Sequence, residues 1–326
     1  MKRLMAIFVF FLRLVFAADY DCVIVGTSPI SLFEAIYQHY LGNRVLVLEQ
    51  AGECGGAWKS IDICGVAHVD LGCHQIGGDR DLKKFLEVYG GCKIVSMDQP
   101  SSPNDQFAGN FYFSQGCYEL VRNLTKWMDA AGVVLLMNCR LDSVFIDAEA
   151  GHAVVKTTRG QFTAKKIFYT QMTAFNIENN GRPPHSLHTM KYPHLYLLVQ
   201  DPTAPKFSYI GYGELRASRA MNLTHFVGLF GTGRQLIVFQ LNGEDSFSKG
   251  QQYLDSLKKR NFVDSSAYLL RAEPYTYEIA FNPHNGVPSQ FQPYFEMLRA
   301  GNFSSMSSYV PKWKQVLPRY RDAVPN

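Results

Sequence analysis

Near its start this chain carries a strand, a tight turn, a helix, a second strand and an acidic residue in direct succession. Tyr20–Val25 is a short β-branched apolar run that ends at Gly26, a pattern typical of a buried parallel strand. Pro29–Leu41 repeats apolar residues at helical spacing, and Arg44–Leu48 is a second buried strand that closes on Glu49. Such a succession over about 30 residues forms one βαβ unit. The sequence therefore predicts an α/β protein with a Rossmann-like nucleotide-binding domain.

The turn between the first strand and the helix occupies the place of a dinucleotide-binding G-x-G-x-x-G motif. It keeps the first glycine, Gly26, and has Ser28 and Ser31 at the second and third positions. Serine is small, its hydroxyl can donate to a phosphate, and the N–H groups of the helix start point to the same place. Glu49 stands at the distance at which an acid accepts from ribose hydroxyls. On the motif alone, a βαβ turn that binds nothing is the alternative.

Two sequence runs that follow the turn carry a family resemblance. The run VLVLEQAGECGGAWKS at 45–60, followed by GVAHVDLGCHQIGG at 65–78, resembles the N-terminal signature of the FAD-dependent amine oxidase and protoporphyrinogen oxidase superfamily. The resemblance implies that FAD is the cofactor. It also implies that the pair Gly55-Gly56, which follows the ribose acid, lines the flavin pyrophosphate.

The same resemblance assigns positions further along the chain. Asp70 and Gly72 match the D-x-G that leads onto the edge of the flavin. Val144 lies in the run LDSVFI, which is similar to the strand whose backbone meets the adenine, and Thr170 ends the strand that returns to the FAD domain. The fold implied is a Rossmann-like FAD-binding domain with a second, mixed antiparallel-sheet domain for the substrate.

The expected domains divide after Thr170, where the sequence pattern changes, although the resemblance implies an FAD domain that is discontinuous in the family. They are a signal peptide, an FAD-binding domain, a substrate domain and a C-terminal helical segment, at 1–18, 19–170, 171–290 and 291–326. The resemblance implies an FAD-dependent oxidoreductase that acts on a small-molecule substrate by hydride transfer to flavin, without identifying the substrate, the electron acceptor or the oligomeric state.

A non-catalytic or non-redox binding protein on the same fold is the alternative function. Three departures favour it. The turn has lost two glycines, Ala57-Trp58 stands where the family commonly has an arginine, and no Gly-Asp or Gly-Glu pair of the family's second FAD segment follows residue 280.

In the second half of the chain the pattern predicts strands and two helices. The runs 225–230 and 235–241 are predicted to be strands joined as a hairpin by Gly231-Thr232-Gly233-Arg234. The runs 251–260 and 292–298 are predicted to be helices.

The first residues are typical of a secretory signal peptide. Lys2 and Arg3 precede the apolar run 4–12, and Val15-Phe16-Ala17 offers small residues for cleavage. The run is too short for a stable transmembrane helix, so no membrane span is expected in the mature chain. The location would be secreted, periplasmic or in an endomembrane lumen. An uncleaved anchor and a misassigned start codon are the alternatives, and without a signal peptide the chain would be cytoplasmic.

Charge and cysteine content argue against a nucleic-acid partner and against metal or disulfide sites built from cysteines. The net charge is +4 and no block of like charges occurs, so no nucleic acid is expected. None of the seven cysteines lies beyond residue 139, and their spacing suits neither a metal site nor a disulfide scaffold. Most are therefore expected to be buried small side chains.

Histidines and tyrosines supply the remaining candidate groups. His68 and His74 flank the D-x-G segment, where they could relay protons beside a flavin, but ordinary loop histidines are the favoured interpretation. The pairs Tyr209 with Tyr212 and Tyr275 with Tyr277 could line an aromatic substrate pocket. Side chains on one face of a strand are the favoured alternative.

Overall fold

A computed structural model describes most of the chain. It covers residues 19–71, 76–96, 111–170, 173–179, 188–281, 287–299 and 303–319. The predicted signal segment, Gly72, Cys73 and His74 lie outside the described residues.

The described residues form strands, helices and three short 3-10 turns. The strands are β1 (Tyr20–Val25), β2 (Val45–Leu48), β3 (Ser60–Ile63), β4 (Val66–Asp70), β5 (Ile94–Ser96), β6 (Phe111–Phe113), β7 (Val134–Leu136), β8 (Leu141–Asp147), β9 (His152–Thr157), β10 (Gly160–Thr170), β11 (Asn176–Ile177), β12 (His188–Gln200), β13 (Tyr209–Gly211), β14 (Ala217–Asn222), β15 (Arg234–Leu241), β16 (Tyr268–Phe281) and β17 (Phe295–Leu298). The helices are α1 (Pro29–Tyr40), α2 (Arg80–Tyr89), α3 (Gly116–Ala131), α4 (Gly250–Lys259), α5 (Phe303–Met306) and α6 (Val310–Trp313), and the 3-10 turns span Gly56–Trp58, Glu244–Lys249 and Ser289–Tyr294.

The chain divides into two compact units, and both are discontinuous in sequence. The first unit comprises 1–54, 127–188 and 280–299, and the second comprises 55–126, 189–279 and 300–326. The sequence analysis expected a domain boundary at residue 170, which falls inside the first unit.

The first unit is built on an eight-stranded sheet with a parallel core. Its parallel strands lie in the order β7-β2-β1-β10-β17. The antiparallel meander of β8, β9 and β10 extends the sheet, and β11 pairs with β8. From β1 the chain first adds β2 and β7 on one side of the sheet, and it later adds β10 on the other side of β1. The direction in which strands are added therefore reverses between β1 and β10. In open α/β sheets, ligands bind outside the carboxyl ends of the strands at such a reversal.

Burial explains why the first βαβ unit forms as the sequence predicts. The last four residues of β1 and all four of β2 are buried, which suits strands covered on both faces. Pro29 begins α1 at a position where its missing N–H costs nothing, and the first ten residues of the helix are buried. The helix ends before Gly42, because the left-handed φ of 88° at this glycine is incompatible with a right-handed α-helix.

The second unit contains a five-stranded sheet in the order β13-β14-β15-β12-β16. One face packs on α4 through Leu195, Leu197, Phe239 and Tyr253. The opposite face packs on residues of the β3-β4 hairpin. The two units together confirm the predicted fold class, a Rossmann-like α/β domain with a second antiparallel sheet.

Two predictions for the second half of the chain are wrong. Residues 225–230 form turns instead of a strand, and β15 pairs in antiparallel orientation with β14 and β12. Residues 292–298 are not a helix, because a 3-10 turn there leads into β17, which pairs in parallel with β10. The other helix predicted in this region, at 251–260, is α4.

The six described cysteines form no disulfide bond with one another, and all except the half-buried Cys54 are buried. This confirms the expectation that most of them serve as small buried side chains. Among the described residues, no helix is both long enough and apolar enough to cross a membrane.

Candidate functional site

The turn after β1 is fixed by a glycine with left-handed backbone geometry. Gly26 has φ of 90°, and its N–H donates to the Leu48 carbonyl at 2.8 Å. Any other L-residue at this φ would be strained, since its Cβ crowds the backbone. The bond joins the ends of β1 and β2, so the turn lies at the carboxyl edge of the parallel sheet, beside the reversal between β1 and β10.

Ser28 and Ser31 share a hydrogen bond at the start of α1. Ser28 is the N-cap with an extended backbone, and its hydroxyl caps no helix N–H. Its Oγ instead lies 2.9 Å from the Oγ of Ser31, which is fully buried. Two hydroxyls bring two protons and this bond uses one, so the pair retains one O–H donor. The half-buried Ser28 can present that donor, together with the helix N-terminus, to an anion.

Glu49 is buried directly after β2, where the sequence analysis expected a ribose-binding acid. Its Oε1 accepts the Ala51 N–H at 2.8 Å, and its Oε2 accepts the Thr27 hydroxyl. Each carboxylate oxygen has two lone pairs, so each can accept one further donor. The sequence analysis missed Thr27, whose polar β-branched side chain within the turn was the available signal.

Thr170 lies on the same edge of the sheet as the turn. Val25 and Tyr169 are register partners at the ends of β1 and β10, so Gly26 and Thr170 follow neighbouring strands. The Thr170 N–H donates to the Thr173 hydroxyl at 3.2 Å, and the Thr173 N–H donates back to the Thr170 carbonyl. This local turn ends β10.

The backbone of β8 at Val144 differs from what the resemblance implies. The Val144 carbonyl accepts the Glu178 N–H at 2.9 Å, and Ile177 of β11 is its register partner. The Asn179 side chain bonds both the N–H and the carbonyl of Ile146. Residues 176–179 thus pair with this edge of β8, and an adenine placed there would have to displace them.

The remaining assigned residues that the structure describes, Gly55, Gly56 and Asp70, belong to the second unit. Gly55 and Gly56 have φ of 114° and 56° and lead into a 3-10 turn that contains the buried Trp58. His68 is exposed and stacks on the Tyr118 ring with centroids 3.8 Å apart. His68 therefore lies at the surface of β4 and is not in a loop.

Asp70 holds the start of α3. Its buried Oδ1 accepts the Cys117 N–H at 2.8 Å and the Ser60 hydroxyl at 2.7 Å, and the Ser60 oxygen accepts the Tyr118 N–H. The carboxylate therefore satisfies one N–H of the first turn of the helix directly, and the Ser60 hydroxyl that it holds satisfies a second. Where the resemblance assigns Asp70 to the flavin edge, the structure shows a helix cap.

We expect Asp70→Asn to flatten part of the dependence of stability on pH. Burial raises the pKa of the Asp70 carboxyl from 3.8 to about 6, so the folded chain binds this proton more tightly than the unfolded chain. Its stabilising contribution is complete below about pH 4 and is lost as the pH rises through about 6. The loss amounts to about 3 kcal/mol.

Urea unfolding of wild type and Asp70→Asn at a series of pH values measures how the stability of each depends on pH. The free energy of unfolding of wild type should fall by that amount relative to Asp70→Asn as the pH rises across the window, while Asp62→Asn, an exposed change in the same hairpin, should follow wild type. Parallel curves for wild type and Asp70→Asn would contradict the assignment.

An open cleft of about 670 Å³ lies at the other edge of the first unit's sheet. Its lining includes Tyr20, Val45 and Val134, the first residues of β1, β2 and β7. Parallel sheets bind nucleotides at the carboxyl ends of their strands. This cleft is therefore not the site that the Gly26 turn forms.

No protein-family model and no curated protein matches the chain. Among solved structures it is similar to a protein of Exiguobacterium sp. assigned as a protoporphyrinogen oxidase, with 10% identity and a TM-score of 0.62 over 91% of this chain and 98% of that chain. Cyclohexylamine oxidase from Brevibacterium oxydans has 11% identity and a TM-score of 0.62 over 93% and 99%. Rab GDI from Plasmodium falciparum has 10% identity and a TM-score of 0.56 over 94% and 99%. At these identities the likeness concerns the fold.

Proposed function

We propose that this chain, which has the fold of the FAD-dependent amine oxidase superfamily, binds FAD at the carboxyl edge of its parallel sheet and oxidises a small-molecule substrate. The observation that carries the proposal is the Gly26 turn at the winding reversal of the sheet, with Glu49 at the end of the neighbouring strand.

The residues at this edge fit the pyrophosphate and ribose of a dinucleotide. The start of α1 and the Ser28–Ser31 pair supply N–H and O–H donors for phosphate, and Glu49 has lone pairs left for ribose hydroxyls. The edge of β8 at Val144 does not fit an adenine, because residues 176–179 already pair with it.

When bound, FAD supplies the redox chemistry by accepting a hydride from the substrate. The chain would contribute binding and orientation. Gly26 holds the turn in the conformation that lets the backbone approach phosphate, and the buried Glu49 fixes the ribose. The half-buried Ser28 would meet the phosphates first.

A non-redox binding protein is the second candidate function. The structure supports it because three groups expected to meet the nucleotide already have internal partners: Glu49 accepts from Thr27, Ser28 bonds Ser31, and Val144 accepts from Glu178. Rab GDI, whose name is not that of an oxidoreductase, has a similar fold. A nucleotide would have to displace the bond at Val144, and it would share Glu49 and the serine pair with their present partners.

The absorption spectrum of the purified protein separates the two candidates. After incubation with FAD and gel filtration, an oxidoreductase should retain flavin bands that bleach anaerobically when its substrate is added. Retained flavin that no candidate amine or other reductant bleaches would favour the binding protein. A spectrum without flavin bands would contradict FAD binding itself.

We expect Glu49→Gln to weaken FAD binding about 10-fold, because a hydrogen bond to a charged group contributes about 1.5 kcal/mol or more. FMN, which lacks the adenosine ribose, provides the matched control. Calorimetric titration should show unchanged FMN affinity in the variant. Equal losses for both flavins would indicate that Glu49 supports the fold of the turn and does not bind ribose.

A further inference from the structure

Three polar side chains form a row across the five-stranded sheet of the second unit. Arg219 of β14 is the register partner of Gln240 of β15, and Gln240 is in turn the partner of His194 of β12. Directly opposite residues in an antiparallel pair point to the same face of the sheet. Tyr277 of β16 continues the row, with its ring stacked on His194 at 5.8 Å and on Tyr192 at 5.0 Å.

The row contains buried polar atoms that no group in the described part of the chain satisfies. The Nε of Arg219 and the Oε1 of Gln240 are buried and have no hydrogen-bond partner among the described residues. The guanidinium lies 6.0 Å from the Tyr209 ring, and no carboxylate of the described chain forms an ion pair with it. A buried unpaired group costs about 1–3 kcal/mol, and more when it is charged. Polar groups in this state are uncommon and call for a partner.

His194 adds an acceptor to the same row. It is 2% exposed, and burial lowers its pKa to about 4, so the imidazole is neutral near pH 7. Its Nδ1 lies 2.9 Å from the Tyr192 carbonyl, an oxygen that can only accept. The Nδ1 must therefore carry the proton, which leaves Nε2 as an acceptor.

These groups define the chemistry of a ligand. The single guanidinium matches a carboxylate, whose two oxygens it can bind side by side. The Oε1 of Gln240 and the Nε2 of His194 are acceptors, so the ligand must also carry an N–H or O–H donor. The Tyr277 ring offers a flat apolar wall. A bare anion such as acetate leaves both acceptors unpaired.

We propose that the row of Arg219, Gln240 and His194 binds a small carboxylic acid that carries an amine or hydroxyl group close to its carboxylate. The carboxylate contacts Arg219, and the neighbouring donor contacts Gln240 and His194. The proposal of a carboxylate site does not depend on the proposed function. As the substrate site of the oxidoreductase it rests on the proposed function.

Three simple probes test the site by calorimetry on the purified protein without flavin, so the result does not depend on FAD binding. They are 2-aminobenzoate, which has both groups, benzoate, which lacks the donor, and aniline, which lacks the carboxylate. We expect 2-aminobenzoate to bind, benzoate to bind about 10-fold more weakly, and aniline not to bind.

Three variants, one of them a control, locate the binding. Arg219→Gln should abolish it, whereas Arg234→Gln, which changes an exposed arginine of β15, should leave it unchanged. Gln240→Leu should reduce the preference for 2-aminobenzoate over benzoate and should not lower the melting temperature, because it removes an unsatisfied oxygen. Binding of 2-aminobenzoate to Arg219→Gln with wild-type affinity, or no binding to wild type, would overturn the proposal.

Discussion

Replacing Ser28 by leucine is expected to weaken FAD binding by about 100-fold or more, which corresponds to about 3 kcal/mol. Ser28 is the half-buried N-cap residue of α1 and lies at the carboxyl edge of the parallel sheet. A branched side chain there would occupy the place of the phosphate oxygens, and the N–H groups of the helix start could not reach them. The variant also loses the bond to Ser31.

Stability should change little in Ser28→Leu, because the hydroxyl caps no helix N–H and its loss costs less than a typical cap of about 1 kcal/mol. Ser28→Gly is the matched control. It should bind FAD within about 10-fold of wild type, since it loses one hydroxyl contact and gains a closer backbone approach. Flavin titration paired with thermal melts gives both quantities. Wild-type FAD affinity in Ser28→Leu would place the phosphate site elsewhere.

The largest expected effect on stability comes from Phe295→Ala. Phe295 begins β17, lies in the core of the first unit, and stacks on Phe175 with centroids 5.5 Å apart. Tyr169 of β10 meets the same ring edge-on. Removing a buried phenylalanine side chain costs about 3–5 kcal/mol through lost burial and the cavity that remains. We expect urea unfolding to show that the free energy of unfolding of Phe295→Ala is lower than that of wild type by this amount.

Met297→Ala in the same strand is the control, since Met297 is 43% exposed and should cost less than about 1 kcal/mol. Equal effects of the two substitutions would contradict the assignment of Phe295 to the core. So would a stable folded protein that lacks residues 287–326.

The βαβ unit could be predicted because its signals are local. Buried strands, a helix with proline in its first turn, and a glycine turn all lie in one short stretch, and the structure reproduces them. The pairing of β17 with β10 could not be predicted, because the two strands are far apart in sequence. The spacing of Phe291, Phe295 and Leu298 also fits a helix, although Pro293 within the run argues against one.

The same strand bears on the second FAD segment that the sequence analysis did not find. β17 adds a fifth parallel strand to the sheet, and Gly301-Asn302 follow it closely in sequence. This pair has an amide where a Gly-Asp or Gly-Glu pair has the acid. Residues 300–302 lie outside the described part of the chain.

The wrong prediction of a hairpin from 225–230 and 235–241 has a different cause. β14 reads ASRAMN and lacks the β-branched and aromatic residues that mark strands, so local propensity favoured the neighbouring run at 225–230. That run contains Gly228 with φ of 70°, which breaks an extended chain. The tertiary pairing with β15 outweighs the weak local preference of β14.

Within the candidate site, the sequence motif located the backbone but did not reveal the partners of its side chains. The motif places Gly26, Ser28 and Glu49 correctly at the sheet edge. It says nothing of the Thr27 hydroxyl on Glu49, because Thr27 is one of its variable positions. Hydrogen bonds of this kind follow from side-chain packing and not from spacing.

Titration of the purified protein with FAD, and separately with NAD, tests the central claim most directly. The Gly26 turn, the Ser28–Ser31 pair and Glu49 predict saturable binding of FAD at micromolar concentrations or below, with NAD bound more weakly. Micromolar binding of NAD without binding of FAD would contradict the account, and so would the failure of both wild type and Ser28→Gly to bind either dinucleotide.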